Sequence, residues 1–288
     1  TSIHTGVFIL LASSTHADEH LGLHISPDLD SLTYALSQQN NTETGWGRAG
    51  ESWNFIETLG ALGGEAWFRL GDKDLALHTA RTQMLKSGAT LSQATAAITQ
   101  SMGIEHTVAP MSDSPVRTIV HSDRGDLAFQ HYFVREGCGP KVSGFSFDGI
   151  ANAKLNPLIR EWLADCDGVI ICPSNPFVSV DPMLHLDGFG EALKSLPVIA
   201  VSPIVGGIAI KGPAAKMMHE LNMPATALAV ADHYQGLIDG FVVDQTDAAL
   251  VEQFNVPTIS TPSVMVTLQD RIDLARTCVS FLASLSSN

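Results

Sequence analysis

Short apolar runs, each closed by turn residues, recur along the chain: Val7–Leu11, Gly168–Cys172, Pro197–Val201 and Gly240–Val243. They are rich in β-branched residues and do not alternate with polar ones. That pattern fits strands of a parallel sheet covered on both faces. Between the four lie segments with helical spacing of apolar positions, Ile159–Ala164, Phe189–Lys194 and Ala214–Leu221. Strand, loop and helix in repetition predict a Rossmann-like, doubly wound, mostly parallel α/β sheet. The rhythm breaks from Asp30 to about Met102, which reads as mainly helical, with Asp74–Lys86 and Leu91–Ser101 the clearest helices. Thr118–Val134 reads as two extended runs turning at Ser122–Gly125. The expected organisation is one domain over residues 1–288, with 30–135 as an inserted helical and β subregion.

Composition narrows the function classes. The chain has 288 residues, 45% of them hydrophobic and 16% charged, which suits a compact enzyme with a sizeable core. Acidic residues number 30 against 16 basic, a formal net charge of -14. A surface this acidic argues against nucleic acid as a partner, because phosphate backbones call for Lys and Arg. No apolar run reaches the roughly 18 residues of a membrane span. The opening run Gly6–Ala12 has no basic segment before it, so it reads as a buried strand, and a cytoplasmic protein is expected. The cysteines Cys138, Cys166, Cys172 and Cys278 form no CxxC pair and no disulfide framework; Cys166 and Cys172, flanking a strand, read as buried thiols.

In open α/β sheets ligands sit beyond the carboxyl ends of the strands. Two such loops stand out. Pro173-Ser174-Asn175-Pro176 follows the second strand, and Ser202-Pro203-Ile204-Val205-Gly206-Gly207 follows the third, with Lys211-Gly212-Pro213 just beyond. Small and turn-forming residues let such loops offer backbone N–H groups to phosphate oxygens, although each could equally be an ordinary turn. A third cluster, His24-Ile25-Ser26-Pro27-Asp28-Leu29-Asp30, with Asp18, Glu19 and His20 ahead of it, gathers carboxylates with little basic compensation. Mg²⁺ would relieve that repulsion; alternatively Asp28 or Asp30 caps the helix that follows. His78 falls one turn beyond Asp74 and shares its helix face, while Pro110-Met111-Ser112-Asp113 forms another polar loop. There is no GxSxG elbow and no Walker A motif.

The runs HLGLHISPDLD, GWGRAGESWN, WFRLGDKDLALH, PMSDSPVRT, FQHYFV, PSNPFVSV and SPIVGGIAIKGPAAKMM, in that order, resemble those of the 2-phospho-L-lactate transferases of coenzyme F-420 biosynthesis. The resemblance implies a Mg²⁺-dependent transfer of a phospho-linked three-carbon acid (phospholactyl, phosphoenolpyruvyl or 3-phosphoglyceryl). The donor would be guanosine diphosphate-linked, the acceptor the deazaflavin Fo, and the products GMP and F-420-0 or its analogue. By the same resemblance Ser174, Asn175 and Pro176 match the nucleotide loop, and Ser202 to Gly207 the second loop. Asp30 and Asp18 match metal ligands and, with Asp28, the catalytic carboxylates, Asp28 or Asp18 being the acceptor of the hydroxyl proton; Met111, Ser112 and Asp113 match a loop near the deazaflavin. Lys211 is a candidate cation for the leaving phosphate, and a homodimer is expected on general grounds. The chain departs from the family at one place. A glycine-rich loop should follow the first strand, whereas Ala12 runs straight into Ser13-Ser14-Thr15-His16-Ala17-Asp18. The expectation is therefore a break between Ala12 and Asp18, with a phosphate loop and a crossover helix missing. Two rivals stay open: a nucleotide-dependent oxidoreductase on the same fold, and a nucleotide- or deazaflavin-binding protein without catalysis.

Overall fold

The computed structural model describes residues 9–43 and 47–285. The elements run β1 (Ile9–Ala12), β2 (Asp18–His20), β3 (Leu23–Ile25), α1 (Pro27–Leu36), α2 (Asn54–Ala61), α3 (Asp72–Lys86), α4 (Leu91–Ser101), β4 (Thr107–Pro110), β5 (Arg117–Ser122), β6 (Gly125–Ala128), β7 (Val142–Asp148) and α5 (Pro157–Asp165). There follow β8 (Val169–Ile171), α6 (Asp181–Leu184), α7 (Phe189–Leu193), β9 (Val198–Val201), β10 (Ile204–Val205), β11 (Ile208–Ala209), α8 (Ala214–Glu220), α9 (Ala227–His233), β12 (Gly240–Asp244), β13 (Thr258–Thr261) and α10 (Leu268–Leu285). The chain is α/β with parallel sheets, as the pattern predicts, and no described helix is long and apolar enough to cross a membrane. It divides into two compact units. One takes in the described residues of Thr1–Val120, Asp126–Pro140 and Ser146–Ile159; the other takes in His121–Gly125, Lys141–Phe145 and the described residues of Arg160–Asn288.

In the first unit β1 pairs in parallel with β4, Leu10 opposite Val108 and Ala12 opposite Pro110. The crossover between them is the long helical stretch that contains α1 to α4. A parallel neighbour needs such a crossover, and here it lies wholly beyond Asp18. The backbone is accordingly continuous from Ala12 to Asp18, with the Ala17 N–H donating to the Ser14 carbonyl at 3.2 Å. The expected break is corrected: the next strands, β2 and β3, form a local antiparallel hairpin, which needs no crossover helix. Of the first predicted strand, Val7 and Phe8 lie outside the described residues. Ala12, Leu29, Leu91 and Val108 close one core cluster; Tyr34, Leu77 and Ile98 close another. Helix α4 begins at a capping box, in which Thr90 accepts from the Gln93 N–H and Gln93 reaches back to the Thr90 N–H.

Two readings of this region need adjustment. Helix α1 starts earlier than the apolar pattern suggests, with Pro27 at its first position and Ser26 preceding it, so Asp28 and Asp30 sit inside the first turn and neither is a cap. The second extended run after the turn at 122–125 ends at Ala128, and His131–Arg135 continues as a wide helical turn.

In the second unit β8, β9, β12 and β13 form one parallel sheet in that spatial order, with Val169 opposite Val198, Gly240 opposite Ile199 and Phe241 opposite Thr258. Every residue of β9 and β12 is buried, which explains their unalternating sequence. Leu274, Cys278 and Leu282, four residues apart along α10, pack on Ile199, Val201 and Val242. Gly240 allows that closeness: a Cβ there would stand 2.8 Å from the Phe281 ring. All four cysteines are free thiols. Cys166 is half-buried and Cys172 exposed, because Cys172 lies just past the last residue of β8.

Candidate functional site

The residues singled out from the sequence fall in both units, and each set is built on its own elements. In the first unit the loop leaving β1 is buried from Ser13 to His16. His16 is fixed on three sides. Its ring stacks on Phe129 at 3.8 Å, its carbonyl accepts from Gln130 Nε2, and its Nδ1 lies 2.8 Å from Asp28 Oδ2. The Asp28 side chain remains 32% exposed, so this carboxylate is held from behind and open in front. Ser14 Oγ and His16 Nε2 on the loop have no hydrogen-bond partner among the described residues. Neither has Thr118 Oγ1, on the strand whose N–H reaches the Thr15 carbonyl. Buried polar atoms without partners are rare and gather where a protein does chemistry or holds a ligand.

Asp30 is different. It is buried, and its two oxygens take both terminal nitrogens of Arg81 on α3, with the Nη1 contact at 3.2 Å. The Ser26 N–H adds a third bond, and His78 Nδ1 stands 3.6 Å away. This corrects the premise that the acidic cluster lacks a basic partner. Arg81 and His78 are three apart on α3, one face of which turns Leu77, His78, Arg81 and Thr82 inward. His78 then reaches Asp74 through Nε2 at 3.4 Å, as their spacing predicts, and Asp74 accepts from the Tyr34 hydroxyl. Burial alone would raise the Asp74 carboxyl, but the bonds from His78 and Tyr34 outweigh it and hold it below the usual range. Burial, with Asp74 beside it, pushes the Tyr34 hydroxyl upward. His24, beside this network, is lowered to about 4 by burial and then by Arg81.

Asp18 lies half-buried in β2, with Oδ1 accepting its neighbour's N–H at 2.8 Å. Met111 and Ser112 are fully buried, and Ser112 Oγ donates to the Lys154 carbonyl. Asp113 is exposed and accepts the Ser92 N–H at the start of α4. In this structure the 110–113 loop thus closes on its own unit.

In the second unit both predicted loops leave the same carboxyl edge, because β8 and β9 are adjacent and parallel. Asn175 Oδ1 accepts the Phe177 N–H at 3.0 Å and its Nδ2 lies 3.2 Å from Met217 Sδ, so this one side chain shapes the turn and ties it to α8. Ser174 is half-buried and Pro176 opens a wide helical turn through Val180. Phe177 packs between Phe145 and His233, and His233 Nε2 meets Asp181 Oδ1 at 2.8 Å. The second loop is tighter than expected. Ile204–Val205 and Ile208–Ala209 form a small hairpin, turned by Gly206 and Gly207 at φ 56° and 81°. Ser202 Oγ closes on Ile204, Pro203 is half-buried, and the Gly206 N–H is taken by Asp247 Oδ2 at 3.0 Å. Lys211 is exposed. At the end of β12, Asp244 accepts from Thr246 and Ser263, and those bonds, against its partial desolvation, hold its carboxyl low.

The sequence profile described as 2-phospho-L-lactate transferase CofD matches residues 12–268. The chain belongs to that family. It is 37% identical over 225 residues to the 2-phospho-L-lactate transferase of Methanosarcina acetivorans, covering 78% of this chain and 73% of that one. It is 38% identical over 280 residues to the phosphoenolpyruvate transferase of Streptomyces avermitilis, covering 93% and 88%. A solved structure from Bacillus halodurans, a member of the UPF0052 family, shares the fold with a TM-score of 0.56 at 17% identity, over 93% of this chain and 90% of that one. The family is one of transferases, and both of these curated relatives are named as such.

His16 and Arg81 have larger roles than the sequence reading gave them. For His16 the signal was its place just beyond the carboxyl end of β1. For Arg81 it was the inward face of α3, where polar residues recur at helical spacing.

Proposed function

We propose that this protein moves a phospho-linked three-carbon acid from a guanosine diphosphate-linked donor to the deazaflavin Fo, with GMP as the second product. The observation that carries the reading is the pair of loops at one carboxyl edge, Ser174–Pro176 and Ser202–Gly207, in a chain whose family match spans residues 12–268. Nucleotide recognition is assigned to Asn175 and its turn. The hydroxyl oxygen of the acceptor attacks the phosphorus of the donor that bears the acid. The bond from that phosphorus to the bridging oxygen breaks, and GMP leaves with the oxygen. Such a substitution needs alignment and charge neutralisation more than covalent help. Asp28, braced by His16 and open to solvent, accepts the hydroxyl proton.

The family resemblance implies Mg²⁺, which when bound neutralises the diphosphate. Asp30 does not fit as its ligand, because both its oxygens already face Arg81. Asp18, half-exposed and bonded at one oxygen by an N–H alone, fits as a hard oxygen donor. Relatives named for 2-phospho-L-lactate and for phosphoenolpyruvate are about equally similar, so the reading covers both acids. The deciding experiment mixes the full chain with Fo, Mg²⁺ and each guanosine diphosphate-linked acid in turn, and follows GMP and the deazaflavin phosphodiester. Both products appearing together support the reading. Their absence with every donor would overturn it in favour of a binding protein.

A further inference from the structure

The loop at Ser174–Pro176 is tied down beyond its far end as well as at its start. We infer, on the basis of the nucleotide reading of both strand-end loops, that Asp181 and His233 are a positioning pair. Their bond fastens the Pro176–Val180 turn to α9, and α9 sets the place of that turn beside the second loop.

The wide turn is five residues long, and the Asn175 carbonyl closes it by accepting from Ser179 and Val180 at 3.1 and 3.3 Å. The Asn175 side chain fixes its start. Asp181 follows at once and opens α6, which has only four residues. A helix that short does not hold its own geometry and depends on packing. The outside hold comes from His233, the last residue of α9. Its Nε2 lies 2.8 Å from Asp181 Oδ1, and its ring meets Phe177 edge-on at 5.2 Å. A carboxylate only accepts, so Nε2 carries the proton of this bond. The two side chains are 23% and 17% exposed, which limits competition from water. Burial, and then the Asp181 charge, push the hydroxyl of the adjoining Tyr234 upward, so that ring stays a neutral wall.

Helix α9 is suited to the task. Thr226 caps it by accepting the Ala229 N–H at 3.2 Å, and Ala227, Ala229 and Val230 are buried. It packs against β10, which is part of the second loop. One helix therefore touches both loops at the carboxyl edge of the sheet. The tie spans 52 residues and belongs neither to the strand pairing nor to the core cluster beneath α10. Its contribution falls on loop placement, and a shift of about 1 Å in a binding loop is enough to weaken what it aligns.

The test titrates GMP and Fo calorimetrically into the full chain and into Asp181→Ala, Asp181→Asn, His233→Phe and His233→Gln, with donor turnover followed in parallel. His233→Phe keeps a ring against Phe177 without the donor. His233→Gln keeps an amide N–H near Nε2, and Asp181→Asn keeps an accepting oxygen. GMP binding should weaken about fivefold to tenfold in Asp181→Ala and His233→Phe, the loss expected of one hydrogen bond. Fo binding should hold, and KM for the donor should rise by a similar factor while kcat changes less than about twofold. Both conservative variants should recover most of the GMP affinity. Should Asp181→Ala fail to fold, His233→Phe carries the result. Unchanged GMP affinity in the two disruptive variants, with only the melting temperature lowered, would overturn the inference and leave the nucleotide reading standing. Equal losses of GMP and Fo affinity, or no recovery in either conservative variant, would also overturn it. A full chain that binds no GMP would overturn the nucleotide reading and the inference together.

Discussion

A carboxylate that meets a guanidinium inside a protein cannot be removed alone without leaving a buried charge. Asp30 and Arg81 are both almost fully buried. Asp30→Ala should therefore lower unfolding free energy by about 3–5 kcal/mol, and the double variant Asp30→Leu with Arg81→Met should recover much of it. Denaturant titration of the three proteins measures this; an Asp30→Ala protein as stable as the parent would show the pair to be unimportant to the fold. Loss of transfer in Asp30→Ala would then report unfolding first. Asp28→Asn is the cleaner test of chemistry, because that carboxylate is partly open to solvent. It should lower kcat strongly at nearly unchanged stability.

Burial holds the folded pKa of His24 at about 4 against the ordinary 6.5, so the folded state resists protonation more than the unfolded chain. The stability tied to neutral His24 is present above pH 6.5 and drains away as pH falls from there towards 4. Allowing for its partial exposure, the loss should be about 2 kcal/mol. His24→Gln should flatten that part of the curve of melting temperature against pH, and an equally steep fall in the variant would assign the effect to other groups.

Among the elements, the short turn after β8 depends on one side chain. Asn175 supplies the oxygen that receives the Phe177 N–H and the amide that meets Met217. Asn175→Ala should cost about 1 kcal/mol in stability and weaken guanosine nucleotide binding more than Fo binding, as calorimetry of both ligands would show. Asn175→Asp, which keeps the receiving oxygen, should retain more of the stability; equal nucleotide affinity in parent and alanine variant would remove Asn175 from the site. Elements of this kind were legible from sequence wherever local chemistry decides them. Helix α4 matches Leu91–Ser101 to the residue, because a capping box fixes its start. The buried strands β9 and β12, and the half-buried but wholly apolar β8, match because parallel strands inside a covered sheet leave few polar positions to confuse the pattern. Strand β13, only half-buried and containing three hydroxyl residues, gives no such signal. The partner of β1 was hidden for another reason: β1 and β4 are joined only by distant pairing, and nothing local to Ala12 announces it. Arg81 reaches Asp30 across 51 residues, again a contact that spacing cannot reveal.

For the molecule as a whole, the dominant long-range fact is the charge of -14. A guanosine diphosphate-linked acid is itself an anion, so it approaches against the mean field of the protein, and only local groups such as the backbone amides of the strand-end loops favour its arrival. Mean-field repulsion reaches about 30 Å at 0.01 M salt and about 8 Å at 0.15 M. Contacts inside the site are shorter than either distance and partly shielded from ions, so salt weakens them less. Raising sodium chloride across this range at constant Mg²⁺ should therefore lower KM for the donor, by roughly threefold, while kcat changes little. Steady-state rates at four or five salt concentrations decide the matter. A KM that climbs steadily with salt would mean that attraction by local cations outweighs the net charge, and that the donor is steered by a basic patch.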